Sequence, residues 1–218
     1  MTGLISALGP SAVALLLAGL LAGCGSDSDS TSVAAPEPAS VAAPSSSAPA
    51  RGALLRAEAI QGTVSRWASA TTLADAKAAA EETRNLITGP TVAGAGDADR
   101  DGKTTPVRIG LLPGDDGSRG LTSSLATGCV ERDVLGGSWS RPAARWAEVA
   151  RRIRDWAPDN NTFPGLPSHA QRVVGWATLA LESRRLSDAL EYSGHATGHA
   201  RIVTAAIEPP GARPCPGT

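Results

Sequence analysis

An all-α fold is predicted by three features of the 218-residue chain. Aromatic residues are few (five Trp, one Tyr and one Phe), which disfavours a β-sandwich core built from aromatic and β-branched runs. Alanine is abundant, which suits helices that approach one another closely. Apolar residues recur at helical spacing behind Ser or Thr capping signals. The pattern reads as an antiparallel helical bundle, two helical hairpins plus an additional helix, with a long Asp/Gly-rich loop. A formal net charge of −1 gives no field to capture nucleic acid.

Residues 51–218 have the length of a single helical domain. Its first helix spans Arg51 to Ser69, with Leu54, Leu55, Ala59, Val64, Trp67 and Ala68 available for one face. Thr72-Leu73-Ala74-Asp75 resembles a capping box and opens a second helix through Ile87, stopped by Gly89-Pro90. Ser140 caps a third, in which Trp146, Val149, Ala150, Ile153 and Trp156 share a face while Glu148/Arg152 and Arg151/Asp155 pair on the wet side. Five arginines between 141 and 154 read as a solvated surface. Ser168-His169-Ala170-Gln171 opens a fourth helix with Val173, Trp176, Ala177 and Leu181 as its stripe, and the last helix runs over 187–207. Trp67-Ala68 followed by Leu73-Ala74-Asp75-Ala76 is echoed by Trp176-Ala177 followed by Leu186-Ser187-Asp188-Ala189, as two similar hairpins would be. The Gly- and Pro-rich segments 89–120 and 157–167 are expected to form long surface loops.

The first 23 residues carry no charge, and Ala12 to Leu21 form an apolar run too short to span a bilayer but suited to an export signal. The run ends in Leu21-Ala22-Gly23-Cys24, which resembles the lipobox of bacterial lipoproteins. That resemblance implies a signal peptide over 1–23, cleavage before Cys24, and a diacylglycerol and a palmitate-type acyl chain on Cys24. It departs from the usual pattern in lacking a Lys or Arg near Met1, as a true start codon upstream would explain. The implied location is the outer face of the cytoplasmic membrane, lipid-anchored and extracytoplasmic, with the membrane as one partner and an envelope or protein partner as the other. Residues 24–50 then form a disordered linker; Gly25 to Ala50 holds eight Ser, four Pro and seven Ala. Such a coil spans roughly 25–30 Å, enough to lift the domain clear of the headgroups.

Export changes the arithmetic of the three cysteines. With Cys24 acylated, Cys129 and Cys215 remain as a pair in an oxidising compartment and are expected to form a disulfide, with two free thiols as the alternative. On the chain-entropy view a bridge of this loop length contributes roughly 4–5 kcal/mol.

The sharpest motif is Asp97-Ala98-Asp99-Arg100-Asp101-Gly102-Lys103. Carboxylates at alternate positions followed by Gly wrap a hard cation, because the side chains converge and Gly permits the sharp turn. The run resembles the first half of an EF-hand or dockerin calcium loop. That resemblance makes Asp97, Asp99 and Asp101 side-chain ligands and Lys103 a backbone ligand for Ca²⁺, with Thr105 near the ninth position. The twelfth position is Arg108 where a carboxylate should stand, so Asp115 or Asp116, in the turn Gly114-Asp115-Asp116-Gly117, is expected to supply the missing ligand. A dissociation constant on the order of 10⁻⁴ M suits an incomplete extracellular site. A solvated acidic turn is the competing reading.

A second constellation lies on the last helix. Glu191, His195 and His199 follow one another at four-residue spacing and could present three ligands to Zn²⁺, Cu²⁺, Fe or haem within a bundle. Gly194 and Gly198 form a parallel line at which another helix or a flat ligand could approach. The competing reading has both histidines bordering the apolar seam of Ala189, Ala196, Ala200, Val203 and Ile207, with their outer nitrogens bonded to neighbours.

The sequence contains no His-Glu-x-x-His, Cys-x-x-Cys, Gly-x-Ser-x-Gly or Walker loop, so no catalytic residue is assigned and the protein is not expected to be an enzyme. The domain as a whole resembles secreted helical proteins of GC-rich Gram-positive bacteria. In these a D-x-D-x-D-G loop follows an Asn-Leu-x-x-Gly helix end, here Asn85-Leu86-Ile87-Thr88-Gly89, a likeness that brings no known activity. The expected function is that of a membrane-anchored extracytoplasmic lipoprotein of binding or structural type with a calcium-ordered loop. The alternative is a transition-metal or haem binder using Glu191, His195 and His199.

Overall fold

Five α-helices and one π-helical turn make up the regular structure of the computed structural model, which describes residues 47–125, 128–156, 163, 165–208 and 215. The chain divides into two units, Met1–Ala43 and Pro44–Thr218, and the described residues all belong to the second. Cys24, the signal segment and most of the linker therefore lie outside them. No helix among the described residues is long and apolar enough to cross a membrane.

The bundle is all-helical. Helix α1 (Ala48–Ala68) packs on α2 (Leu73–Thr88), α2 on α4 (His169–Glu182), α4 on α5 (Leu186–Ile207), and α5 back on α1. Helix α3 (Pro142–Arg154) lies against α4. The two expected hairpins thus close into a ring of four helices with the additional helix outside. Trp67 at the end of α1 donates its indole N–H to the Ala189 carbonyl at the start of α5 (2.8 Å), so these two helices run antiparallel.

Local signals explain most boundaries. Thr72 and Ser168 each accept a hydrogen bond from the backbone N–H three residues on, capping α2 and α4. Helix α3 starts later than Ser140 because Pro142 supplies the preset φ of a first helical residue and Arg141 becomes the cap. Helix α1 begins three residues inside the stretch expected as linker, with Pro49 in its first turn. The face α1 buries is Ala53, Ala57, Ile60, Val64 and Trp67, whereas Leu55 is 60% exposed. Helices α2 and α5 bury mostly small side chains, Ala76, Ala79 and Ala80 on one and Ala189, Ala196 and Ala200 on the other. Helix α4 is buried nearly all round, including Gln171 and Gly175, while the expected Leu181 is only half-buried. The ion pairs Glu148–Arg152 (2.5 Å) and Arg151–Asp155 (2.6 Å) form on the exposed side of α3.

The 89–120 segment is not a surface loop throughout. Leu111 and Leu112 are fully buried, and their N–H groups bond to the carbonyls of Leu86 and Ile87, which the end of α2 leaves unpaired. Gly89 turns the chain there with φ +73°, and a Cβ on Gly110 would stand 2.6 Å from Gly89 N, so neither position tolerates a side chain. The Gly- and Pro-rich composition predicts a surface loop over 89–120, but Leu111-Leu112 anchors its second half in the core. The π-helical turn Val130–Leu135 follows Cys129, which is joined to Cys215 by a disulfide. The bridge ties this turn to the chain beyond α5.

Candidate functional site

The second half of α2 holds the acidic loop through three side chains, Glu81, Arg84 and Asn85. Glu81 Oε2 accepts hydrogen bonds from the Ala98 and Asp99 N–H groups (2.5 and 3.1 Å). Asn85 pairs with both backbone groups of Gly96, and Arg84 donates to the Gly94 carbonyl. Within the loop Asp97 accepts from Asp101 N and Gly102 N, Asp99 also accepts from Asp101 N, and Asp101 accepts from Lys103 N. Arg100 and Gly102 take left-handed backbone conformations, at φ +63° and +80°, which fold the run tightly enough for these bonds.

The result is a cluster in which one carboxylate oxygen each from Glu81, Asp97 and Asp99 lie within 4.8 Å of one another, an arrangement that could hold a metal ion. Glu81 is only 4% exposed. Burial pushes its carboxyl above the ordinary range, the Asp99 and Ala98 N–H bonds pull it back, and the Asp99 and Asp97 charges push it up again. A cation at the cluster would offset the repulsion among the three carboxylates.

Of the residues expected in this site, Asp97 and Asp99 come together, whereas Asp101, Lys103 and Thr105 line an adjoining groove. The Lys103 ammonium faces Asp101 at 3.7 Å. Asp115 and Asp116 do not join the cluster. Asp116 caps its own turn through Ser118 N, and Asp115 lines a different cavity. The missing carboxylate is instead Glu81, two helical turns upstream of Gly89. Its place four residues before Asn85, on one stripe ahead of a Gly-rich loop, was the signal available for it.

The histidines are arranged differently. His195 stacks on Trp176, with ring centroids 4.5 Å apart, and His199 meets His169, Nδ1 to Nδ1, at 2.8 Å. Glu191, His195 and His199 do not converge as a set of ligands; the Glu81 cluster is the one such group of three among the described residues. Burial lowers the pKa of His199 to about 4, helped by His169, Arg172 and His195. Burial also lowers that of His169. Gly194 and Gly198 have open space where a Cβ would stand, so no helix among the described residues crosses there.

A third feature has no counterpart in the sequence reading. A cavity of about 680 Å³ opens between α2, α3, α4 and the 92–95 segment. Its walls include Trp146, Val149, Ile153 and Val174, and Arg84 reaches it from α2. Trp146 is fixed by an indole N–H bond to the Pro113 carbonyl (2.8 Å). No protein-family model matches the chain, and neither a curated protein nor a solved structure matches it. The functional reading therefore rests on the sequence motifs and the geometry of this chain.

Proposed function

We propose that the protein is a lipid-anchored binding protein of the bacterial envelope, held at the outer face of the cytoplasmic membrane through acylated Cys24, whose acidic loop takes up Ca²⁺. The observation that carries the calcium reading is the convergence of Glu81, Asp97 and Asp99 oxygens at a buried carboxylate. Oxygen donors alone suit a hard cation, and the neighbouring groove at Asp101 and Thr105 leaves room for water to complete the six to eight ligands calcium prefers. The ion would order residues 94–103, because two of its ligands are the side chains that fold that run and the third pins it to α2. The anchor follows from the lipobox-like Leu21-Ala22-Gly23-Cys24.

Two measurements test the two parts separately. The native chain is expected in the membrane fraction and the Cys24→Ser chain outside it; equal partition of both removes the anchor. Thermal melting after chelation, with Ca²⁺, Mg²⁺ or Zn²⁺ returned singly, reads the loop. Calcium at a hundred times its dissociation constant should raise stability by about 2.7 kcal/mol. No calcium response, or an equal one in Asp97→Asn/Asp99→Asn, removes the cation site.

A further inference from the structure

The cavity beside α3 has the size of a small-molecule site, within the roughly 300–1,000 Å³ range of such pockets. Its walls divide by chemistry. Trp146, Val149 and Ile153 on α3 face Val174 and Leu179 on α4, and together they form an apolar slot. Trp146, Val149, Ile153 and Val174 are each less than a tenth exposed, and Trp146 is locked both by Pro113 and by packing on Trp139 at 5.3 Å. The slot is therefore rigid, as a binding site for a flat or aliphatic body should be.

Two arginines, Arg84 and Arg154, belong to the lining. Arg84 comes from α2, and its guanidinium holds the Gly94 carbonyl. It makes no ion pair within 4 Å among the described residues, unlike Arg66, Arg151, Arg152 and Arg185. None of its nitrogens is sealed off without a partner, so the donors not spent on Gly94 reach open space at the cavity wall. Burial lowers its pKa, and the charges of Glu81 and Glu182 work in the other direction. A partly buried guanidinium, always charged and in no direct ion pair, is suited to a bidentate anion. Two carboxylates also belong to the lining, Glu182, exposed at the end of α4, and Asp115, half-buried on the loop, and neither forms an ion pair with Arg84.

We propose that this cavity binds an amphipathic organic anion, a small molecule whose apolar body fills the slot between α3 and α4 and whose carboxylate, sulfonate or phosphate group pairs with Arg84. The site is separate from the cation cluster and from the anchor, and it gives the binding protein a ligand class that neither of them supplies. Thr88 and Thr178 line the same cavity, with their hydroxyls donating to backbone carbonyls of their own helices or of Gly89.

The test uses the full chain with Cys24→Ser, so that no acyl group competes for the slot, and two matched probes. These are 1-anilinonaphthalene-8-sulfonate and its uncharged relative N-phenyl-1-naphthylamine. The readout is the set of indole N–H resonances, one for each of the five tryptophans, which places binding in the molecule. The sulfonate is expected to shift Trp146 and Trp156 and to leave Trp67, bonded to Ala189 across the bundle, unmoved. Arg84→Met should weaken the sulfonate at least tenfold and leave the neutral probe unchanged, and Arg84→Lys should restore part of the loss. Arg84 also holds Gly94, so a second variant guards against a folding defect. Ala150→Trp fills the slot from an exposed position of α3 and should abolish both probes with all other resonances in place. If Trp146 and Trp156 do not shift, or if Ala150→Trp binds like the native chain, there is no such site. If the neutral probe binds as tightly as the sulfonate, or Arg84→Met loses nothing, the anionic assignment is overturned.

Discussion

The acidic loop and the histidine helix both present ligand-type side chains at regular spacing, and the fold treats them in opposite ways. In the loop the backbone bends between Asp97 and Gly102, so side chains two residues apart turn inward, and α2 adds Glu81 from outside. On α5 the backbone is straight. Residues four apart share a face but project side by side, about 5–6 Å apart at Cβ, and each meets whatever the neighbouring helix offers. His195 finds the face of Trp176 and His199 finds His169. Convergence thus came from a bent backbone plus a partner element, and periodicity alone produced packing.

The largest effect that sharpens this comparison is loss of calcium affinity. Glu81→Gln keeps the size of the side chain but removes the charge that the two aspartates need beside them. Isothermal titration should show at least tenfold weaker Ca²⁺ binding, about 1.4 kcal/mol or more. His195→Ala/His199→Ala, made as the matching change on α5, should leave the calcium isotherm unaltered. An unaltered isotherm in Glu81→Gln as well would mean that the loop binds without α2 and that the contrast between the two regions is false.

Much of this architecture could be read before the fold was known. The caps at Thr72 and Ser168, the helix end at Gly89, the ring of four helices and the Cys129–Cys215 bridge all follow from local chemistry or from simple pairing. What could not be read depends on contacts between distant segments. Glu81 looked like one charged residue on a helix, and only the return of residues 96–99 makes it part of a site. Leu111-Leu112 looked like part of a loop, yet it completes the carbonyls of α2. The cavity is made by α3 standing off α2, with α4 and the 92–95 segment between them, a geometry that no single segment encodes.

The next effect is on stability and lies on the histidine side. His199 has a folded pKa of about 4 against roughly 6.5 when unfolded, so between those values the unfolded chain binds more protons. Stability is whole above about pH 6.5 and falls as pH drops towards 4, by about 2 kcal/mol once the solvent around the half-buried ring is allowed for. The mechanism is visible in the geometry. One Nδ1 of the His169–His199 pair must donate and the other accept, and a proton on the accepting nitrogen turns that bond into a repulsion. Glu81 works with the opposite sign, since burial raises its pKa and acid neutralises it in the folded state first. Denaturant melts of the native chain and of His199→Leu, at pH 7 and pH 4.5, separate the two. The native chain should lose more stability over that interval, and equal losses would show that the pair does not titrate with folding.

The smallest effect is a gain. Gln171 sits two residues after His169, is fully buried, and has neither its amide oxygen nor its nitrogen bonded. A buried amide in this state costs about 1–3 kcal/mol in desolvation that no hydrogen bond returns. Gln171→Met fills nearly the same volume with an unbranched apolar chain, and its flexibility suits a site already packed on all sides. The substitution should raise stability by about 1 kcal/mol, read as a shifted urea midpoint at unchanged slope. It should do so without altering the calcium isotherm, because α4 contributes nothing to the acidic cluster. A loss of stability would show that the amide is satisfied in solution, and that this end of α4 is a polar site rather than a strained piece of core.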